Sequence, residues 1–315
     1  VQVNDVRRPA PGLTVHVGAV LRGVVNVGDR ALVSIDEERR LDIMRNHTAT
    51  HLLHAQLRQV LGAHVHQAGS LVAPDRLRFD FTHSAALSDD ERLRIEQGVN
   101  DAILTNYPVS ATVTTYKEAV AAGAMALFGE KYGDEVRMIR IGSTPDAAVS
   151  KELCGGTHLP ETGIIGLFTI VSEGSIGSGV RRIEALTGRG SQKYAQQRMM
   201  ALRHTAGLLG ASEENVETKA ADVQQTLQGL QREVARLRQQ IARHDIEQLL
   251  AQATTINGAA VVAAQVDASD VETLRQMSDW LRDRLGPSVV VLGATFGGRP
   301  NLIAAVTPDV TARGV

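Results

Sequence analysis

Apolar and polar positions alternate in patterns that change character several times along the chain. From residue 1 to 44 the pattern is β-like. Leu13–Val20 and Val24–Ile35 alternate and are rich in valine, and Val27-Gly28-Asp29 reads as a turn between them. This segment predicts a small β-barrel unit, its remaining strands lying upstream. The period then switches to that of a helix. Asn46 predicts an N-cap, the residues from Ala49 to Leu61 are mostly helix formers, and Gly62 predicts the stop. Beyond it, Arg76–Phe81 sets Leu77, Phe79 and Phe81 against Arg78 and Asp80, the mark of a half-buried strand. Ser88-Asp-Asp-Glu91 is a capping box that opens a helix carrying Leu93, Ile95, Val99 and Ile103, and Tyr107-Pro108 closes it. Strands are predicted at Ser110–Tyr116, Val136–Ile141, Ala148–Leu153, Gly166–Ser172 and Val180–Leu186, with an alanine-rich helix over Tyr116–Phe128. Helices among antiparallel strands make residues 45–190 an α+β domain.

The pattern changes again at 191. One helix runs from Ser191 to Leu209, Gly210-Ala-Ser212 turns the chain, and a longer helix follows. Its apolar positions Val223, Leu227, Leu230, Val234, Leu237 and Ile241 alternate steps of four and three, a coiled-coil pattern, and the turn suggests an antiparallel helical hairpin over 191–252. Residues 253–315 read as β-α-β-β: a strand at Ala259–Val266, an amphipathic helix at Val271–Leu285 closed by Gly286-Pro287, and strands at Ser288–Leu292 and Leu302–Val306. They form a small, partial α/β C-terminal domain. The fold class expected is therefore α+β in four parts: 1–44, 45–190, 191–252 and 253–315.

Composition narrows the setting. At 315 residues the chain has room for several cores. Its single cysteine excludes an intramolecular disulfide framework, so a reducing compartment, the cytoplasm, is the default. There is no signal peptide and no apolar run of transmembrane length, so no membrane partner is expected. A net charge of −2 rules out a uniformly basic nucleic-acid binder and leaves RNA contact to local patches. Arg232, Arg236, Arg238 and Arg243 offer one such patch, although a charge run on a helix is most often a solvated face. The chain starts at Val1 without methionine and ends abruptly at Gly314-Val315, as an internal piece of something longer would.

The chemistry concentrates in two short stretches. Arg-Asn-His-Thr-Ala-Thr-His-Leu-Leu (45–53) places His47 and His51 four apart on one helix face, with His54 beside them and Leu53, Leu57 and Val60 roughly opposite. A hundred residues later Cys154-Gly-Gly-Thr-His158 holds the lone cysteine and another histidine at the same spacing. Gly155-Gly156 argues against helix there and suits a tight loop around an ion. One thiolate and three imidazoles suit tetrahedral Zn²⁺. A zinc peptidase would carry glutamate directly after the first histidine, but that place is Thr48, and no carboxylate falls between the two ligands of either stretch. A structural zinc site and a hydrolytic or recognition site both stay open on this pattern.

Five motifs in order, Arg45 to His54, Arg76-Leu-Arg-Phe-Asp-Phe81, Ala126-Leu-Phe-Gly-Glu-Lys131, Glu152-Leu-Cys-Gly-Gly-Thr-His158 and Gly179-Val-Arg-Arg-Ile-Glu-Ala185, resemble the editing domain of alanyl-tRNA synthetases. The match is strong over 45–190. The β segment before it resembles the barrel preceding that core, and 191–315 resembles, with weaker motifs, the family's C-terminal helical and globular region. The resemblance implies hydrolysis of tRNA(Ala) mischarged with serine or glycine, with His47, His51, Cys154 and His158 as zinc ligands. It also implies Gln67 and Arg181 as pocket residues and Thr50 inside the pocket motif. No protein general base is assigned. Because the chain carries no recognisable aminoacylation half, ATP would serve only that absent part, and the chain is not expected to activate alanine. A homodimer through the C-terminal region is a further expectation. A free-standing editing protein, the more distant threonyl-tRNA synthetase editing domain, and a tRNA-binding or oligomerisation module with a structural zinc are the alternatives. Gly174, Gly177 and Gly179 lack the strand-then-helix setting of a dinucleotide fingerprint and read as a flexible loop that serves as a turn or as a backbone surface near RNA.

Overall fold

A computed structural model describes residues 1–10, 12–126, 132–144 and 146–314, without the side chains of 242 and 243. The chain forms two compact units, Val1–Met199 and Met200–Val315.

The first unit opens with β1 (Gln2–Ala10) and β2 (Leu13–Ala19), paired antiparallel. Every residue of both strands is exposed, and no further strand pairs with them among the described residues, so the expected barrel does not close. Two strands expose both faces of the ribbon and have no core to bury. The second predicted strand, Val24–Ile35, is irregular; only the turn at Asn26–Asp29 forms, where Asn26 N–H donates to the Asp29 carboxylate.

The helix that carries the first histidines, α1 (Glu37–Leu61), is longer than its sequence signals suggest. Its cap is Asp36, which accepts from Arg39 N–H, and Glu37 and Glu38 meet the positive end of the helix dipole. Asn46 is instead a buried mid-helix residue. Its amide donates to Ala73 O and accepts from the Thr187 hydroxyl, tying the helix to two segments distant in sequence.

Strands β3 (Gln67–Val72) and β4 (Leu77–Thr82) form a hairpin after α1. Helix α2 (Asp89–Leu104) follows, opened by the Ser88–Glu91 capping box. It crosses α1 closely at Gly98, where an added Cβ would stand 2.2 Å from Gln56 Oε1. Strand β5 (Val109–Thr115) leads into α3, which covers only Tyr116–Ala121; positions 127–128 of the helix expected there lie outside the described residues, as does all but Ala126 of the Ala126–Lys131 motif. Strands β6 (Glu135–Gly142) and β7 (Ala148–Leu153) complete a sheet of order β5-β6-β7. Strands β8 (Phe168–Gly177) and β9 (Val180–Thr187) join the hairpin in a sheet of order β3-β4-β9-β8, antiparallel throughout. Gly174 and Gly177 belong to β8, paired with Arg182 and Val180, so the glycine stretch is strand and tight turn rather than a flexible loop.

Leu52, Leu53 and Leu57 of α1 pack with Ile95 and Val99 of α2 and with Phe79, Phe81, Ile183 and Phe168 of the four-stranded sheet. This core seats α1 against α2 and the four-stranded sheet.

Helix α4 (Gly188–Leu209) runs from the first unit into the second, and α5 (Val216–Ala251) follows a short turn. The predicted heptad residues of α5 remain open, Val223 at 45% and Leu230 at 58% exposed, so the seam is not covered among the described residues. The C-terminal part comprises β10 (Thr254–Ile256), β11 (Ala259–Gln265), α6 (Val271–Leu285), β12 (Ser288–Phe296), β13 (Arg299–Val306) and the short α7 (Pro308–Thr311). Its sheet has the order β10-β11-β12-β13. Strands β11 and β12 run parallel through the α6 crossover, and the core under α6 is formed by Leu274, Met277 and Leu281 against Val262, Val290 and Leu292. Among the described residues no helix is long and apolar enough to cross a membrane.

Candidate metal centre

Four side chains from two distant stretches converge in the first unit. Donor atoms of His47, His51, Cys154 and His158 all lie within 4.8 Å of one another. Cys154 Sγ is 3.3 Å from His47 Nε2 and 3.4 Å from His158 Nε2. The helix supplies two imidazoles one turn apart. The other two donors follow the end of β7, where the chain leaves the sheet in a loop over α1.

Local chemistry shapes that loop. The Arg137 guanidinium donates to the carbonyls of Cys154 and Gly156, at 3.0 and 2.6 Å, and pins the turn from outside. Gly156 lies so close to α1 that an added Cβ would stand 2.0 Å from His47 Cε1; only glycine lets the loop meet the imidazole. Thr48, which stands where a peptidase would carry glutamate, accepts from Leu159 N–H at 3.1 Å and lies 3.5 Å from His158 Nδ1. It orients the loop and the ring.

A carboxylate does attend the site. Glu152, two residues before Cys154, is 2% exposed, with Oε2 at 2.7 Å from His51 Nδ1 and Oε1 at 3.0 Å from His54 Nδ1. Ser150 Oγ donates to Oε1 at 3.1 Å. The sequence carried a signal for Glu152, since strand periodicity puts it on the same face as Ser150. Nothing in the sequence marks Arg137. On the histidine face of α1, His51 and His54 are nearly as buried as the leucines, at 5% and 4% exposed, while His47 is half-buried.

The electrostatics follow from this packing. Burial pushes the Cys154 thiol up, but contacts with His158, His47 and His51 outweigh it and bring the pKa down to about 3. Burial pushes Glu152 up as well, and the neighbouring His51 and His54 outweigh it and hold the carboxyl well below the usual range. Burial alone would lower His51; the Glu152 charge and the Cys154 contact instead raise it to about 10. His158, buried with weaker compensation, falls to about 4. The cluster thus presents a ready thiolate and a neutral His158, while His51 must give up a proton to a metal.

The residues fit Zn²⁺. The donor set is three nitrogens and one sulfur, the borderline-soft mixture that zinc favours. His51 Nε2 is a buried nitrogen without a hydrogen-bond partner among the described residues, while Nδ1 is committed to Glu152. A carboxylate behind a histidine is the usual support of a metal ligand.

The other residues singled out in the sequence stand around this centre at different removes. Gln67 lines a cavity of about 220 Å³ together with His54, Arg58, His66, Met125, Ala126 and Glu152. Its amide donates to Ser70 Oγ at 3.1 Å. Arg181 does not line this cavity; it makes a bidentate pair with Glu173 at 2.6 and 2.7 Å. Arg182 points the other way and pairs with the buried Asp80 at 2.7 and 2.8 Å. Thr50 is buried and donates its hydroxyl to Asn46 O, one turn back in its own helix.

The profile of the second additional domain of threonyl and alanyl tRNA synthetases matches residues 136–184, which hold Cys154, His158 and Arg181. The alanine–tRNA ligase of Chloroflexus aurantiacus is 47% identical over 326 residues, covering 100% of this chain and 36% of the relative. That of a Roseiflexus species is 45% identical, covering 100% and 37%, and that of Burkholderia orbicola 46% identical, covering 95% and 33%. The chain spans about a third of the length of the curated relatives it matches. From end to end it is similar to one stretch of alanyl-tRNA synthetases, as a C-terminal portion would be, and it carries the second additional domain that these enzymes share with threonyl-tRNA synthetases.

Proposed function

We propose that the chain binds one zinc ion through His47, His51, Cys154 and His158 and removes serine or glycine from mischarged tRNA(Ala). The observation that carries this reading is the cluster of four donors within 4.8 Å beside the cavity lined by Gln67. When bound, zinc would act as a Lewis acid that polarises a carbonyl or lowers the pKa of a water to about 7, or, with its four protein ligands retained, would orient the substrate's amino or hydroxyl group.

The chain's own groups do the rest. Gln67 projects an amide, both donor and acceptor, into a cavity that suits an aminoacyl group. A seryl hydroxyl satisfies such a group, whereas the methyl of alanine leaves it unpaired, and that difference is the source of discrimination. A synthetic pocket cannot reject glycine by size or serine cheaply, so a second, hydrolytic sieve has a purpose. The Thr50 hydroxyl, its proton engaged by Asn46 O, is left with acceptor capacity only. Arg181 keeps its charge and lies on the same sheet face as Gln67, suited to the acceptor end of the RNA. The partner is tRNA(Ala), and the setting is the cytoplasm. Exposed heptad residues on α5 are the place where a second copy would associate, and Arg232, Arg236 and Arg238 add to an RNA footprint.

Hydrolysis of seryl-, glycyl- and alanyl-tRNA(Ala) by the wild type and by Cys154→Ala tests the proposal. Rapid loss of serine, little loss of alanine and a large defect in Cys154→Ala are expected. A wild type that holds its zinc and leaves seryl-tRNA(Ala) intact would overturn it and favour a structural zinc in a tRNA-binding module.

A further inference from the structure

Glu152 joins two histidines of different fate. An ionised carboxylate only accepts hydrogen bonds, so His51 and His54 both meet it through a protonated Nδ1 and both leave Nε2 free. His51 Nε2 turns to the metal donors. His54 is not among the four, although it lies on the same face of α1; its ring packs against Phe79 at 5.3 Å between centroids. The terminal torsion of a glutamate is soft and two-fold, so one hydrogen bond from His51 leaves the carboxylate plane free to turn. A second bond to the other oxygen, from a ring that is buried and packed against Phe79, fixes it. Ser150 also donates to that oxygen, but a rotating hydroxyl follows the carboxylate instead of holding it.

From this arrangement we infer that His54 is a positioning residue of the metal centre: it locks the Glu152 carboxylate, which in turn aims His51 Nε2 at Zn²⁺. The inference rests on the zinc reading of the cluster. It also gives the third histidine of the helix a role that is neither ligand nor core filler, and it connects the metal centre to the cavity wall, which His54 and Glu152 share with Gln67.

The test is zinc affinity, measured by chelator competition on the intact protein, for wild type, His54→Leu, His54→Asn and Ser150→Ala. Leucine keeps the packing volume against Phe79 and cannot donate, and a loss of about 10–100-fold in affinity is expected, the usual effect of removing such a support. Asparagine places an amide N–H near the position of Nδ1–H and should stay within about threefold of wild type, as should Ser150→Ala. Undiminished affinity in His54→Leu, or an equal loss in His54→Asn, would overturn the role of the hydrogen bond. A wild type that binds no zinc would overturn the metal reading itself, a different result. Should His54→Leu fail to fold, ¹⁵N NMR of the zinc-loaded wild type decides: His54 must carry its proton on Nδ1 with no metal on Nε2, and the opposite tautomer or a metallated His54 ends the proposal.

Discussion

Gln67 and Arg181 stand in one cross-strand row, on either side of Phe81: Gln67 pairs with Phe81 across β3 and β4, and Phe81 with Arg181 across β4 and β9. Paired residues of an antiparallel sheet share a face, so the two polar groups lie on the same side, two strand spacings or about 10 Å apart. They are separated by an aromatic ring and are not in contact. In the proposed function they would therefore meet different parts of the substrate, and their substitutions should separate. Gln67→Ala is expected to slow hydrolysis of seryl-tRNA(Ala) by roughly tenfold, the value of one hydrogen bond, with zinc content unchanged. A larger effect on alanyl- than on seryl-tRNA(Ala) in a deacylation assay would contradict the role given to Gln67.

Arg181→Ala should also cost stability. The guanidinium is 13% exposed and makes two charge-assisted bonds to Glu173, itself 10% exposed, so the substitution strands a carboxylate that is largely out of water. A loss of about 1–3 kcal/mol is expected from urea unfolding of the variant, and Glu173→Gln in the same background should recover part of it.

Gly156→Ala is a sharper probe of the metal loop than removal of a ligand. The new methyl would overlap the His47 ring, whereas a Cβ at Gly155 meets nothing within 4 Å. Gly156→Ala should lose most of its zinc while Gly155→Ala retains it, both with wild-type circular dichroism. Equal zinc content in the two variants, by atomic absorption, would show that the loop gives way easily.

Acid should weaken the metal-free protein over a defined range. His158 titrates at about 4 when folded against 6.5 when free, and Cys154 at about 3 against 9.0. Between pH 6.5 and 4 the unfolded chain binds protons at both groups that the native chain does not, so stability falls as pH falls. His51, raised to about 10, is protonated in both states below 6.5 and adds no slope there. Between 6.5 and 9 it works against Cys154, because its contribution is lost as pH rises. Urea midpoints of chelator-treated protein should therefore drop from pH 6.5 to 4.5 and vary less from 6.5 to 8.5. His158→Gln should flatten the acid limb; an unchanged limb would contradict the assignment.

Zinc removal at pH 7 should lower the thermal midpoint of the first unit and leave the second unchanged, because all four donors belong to residues 1–199. Ligand binding to the native state alone stabilises in proportion to the logarithm of concentration over Kd, so the midpoint should rise again on titration with zinc. Two transitions that shift together in calorimetry would contradict this.

The chain order of helices and strands was largely legible in the sequence because it depends on local periodicity. The capping box at Ser88, the alternation through Phe79 and Phe81, and the four-residue spacing of His47 and His51 each report on neighbours within a turn or a strand. The four candidate ligands were legible for the same reason: sulfur and nitrogen donors at helical or tight-loop spacing are a local pattern. What local pattern could not decide was which groups meet across distance. Asn46 has the chemistry of a cap, yet Asp36 lies ten residues earlier with two glutamates behind it, and the surrounding core buries Asn46 in mid-helix, where its amide serves Ala73 and Thr187. Glu152 becomes the support of His51 and His54 only because β7 is laid against α1, a pairing 98 to 101 residues apart in sequence. The alternating segment at the start satisfied the pattern of a barrel, but a pattern specifies faces and not partners, and a two-stranded ribbon has nothing to close upon. The heptads of α5 specify a seam in the same way, while the described residues leave it uncovered.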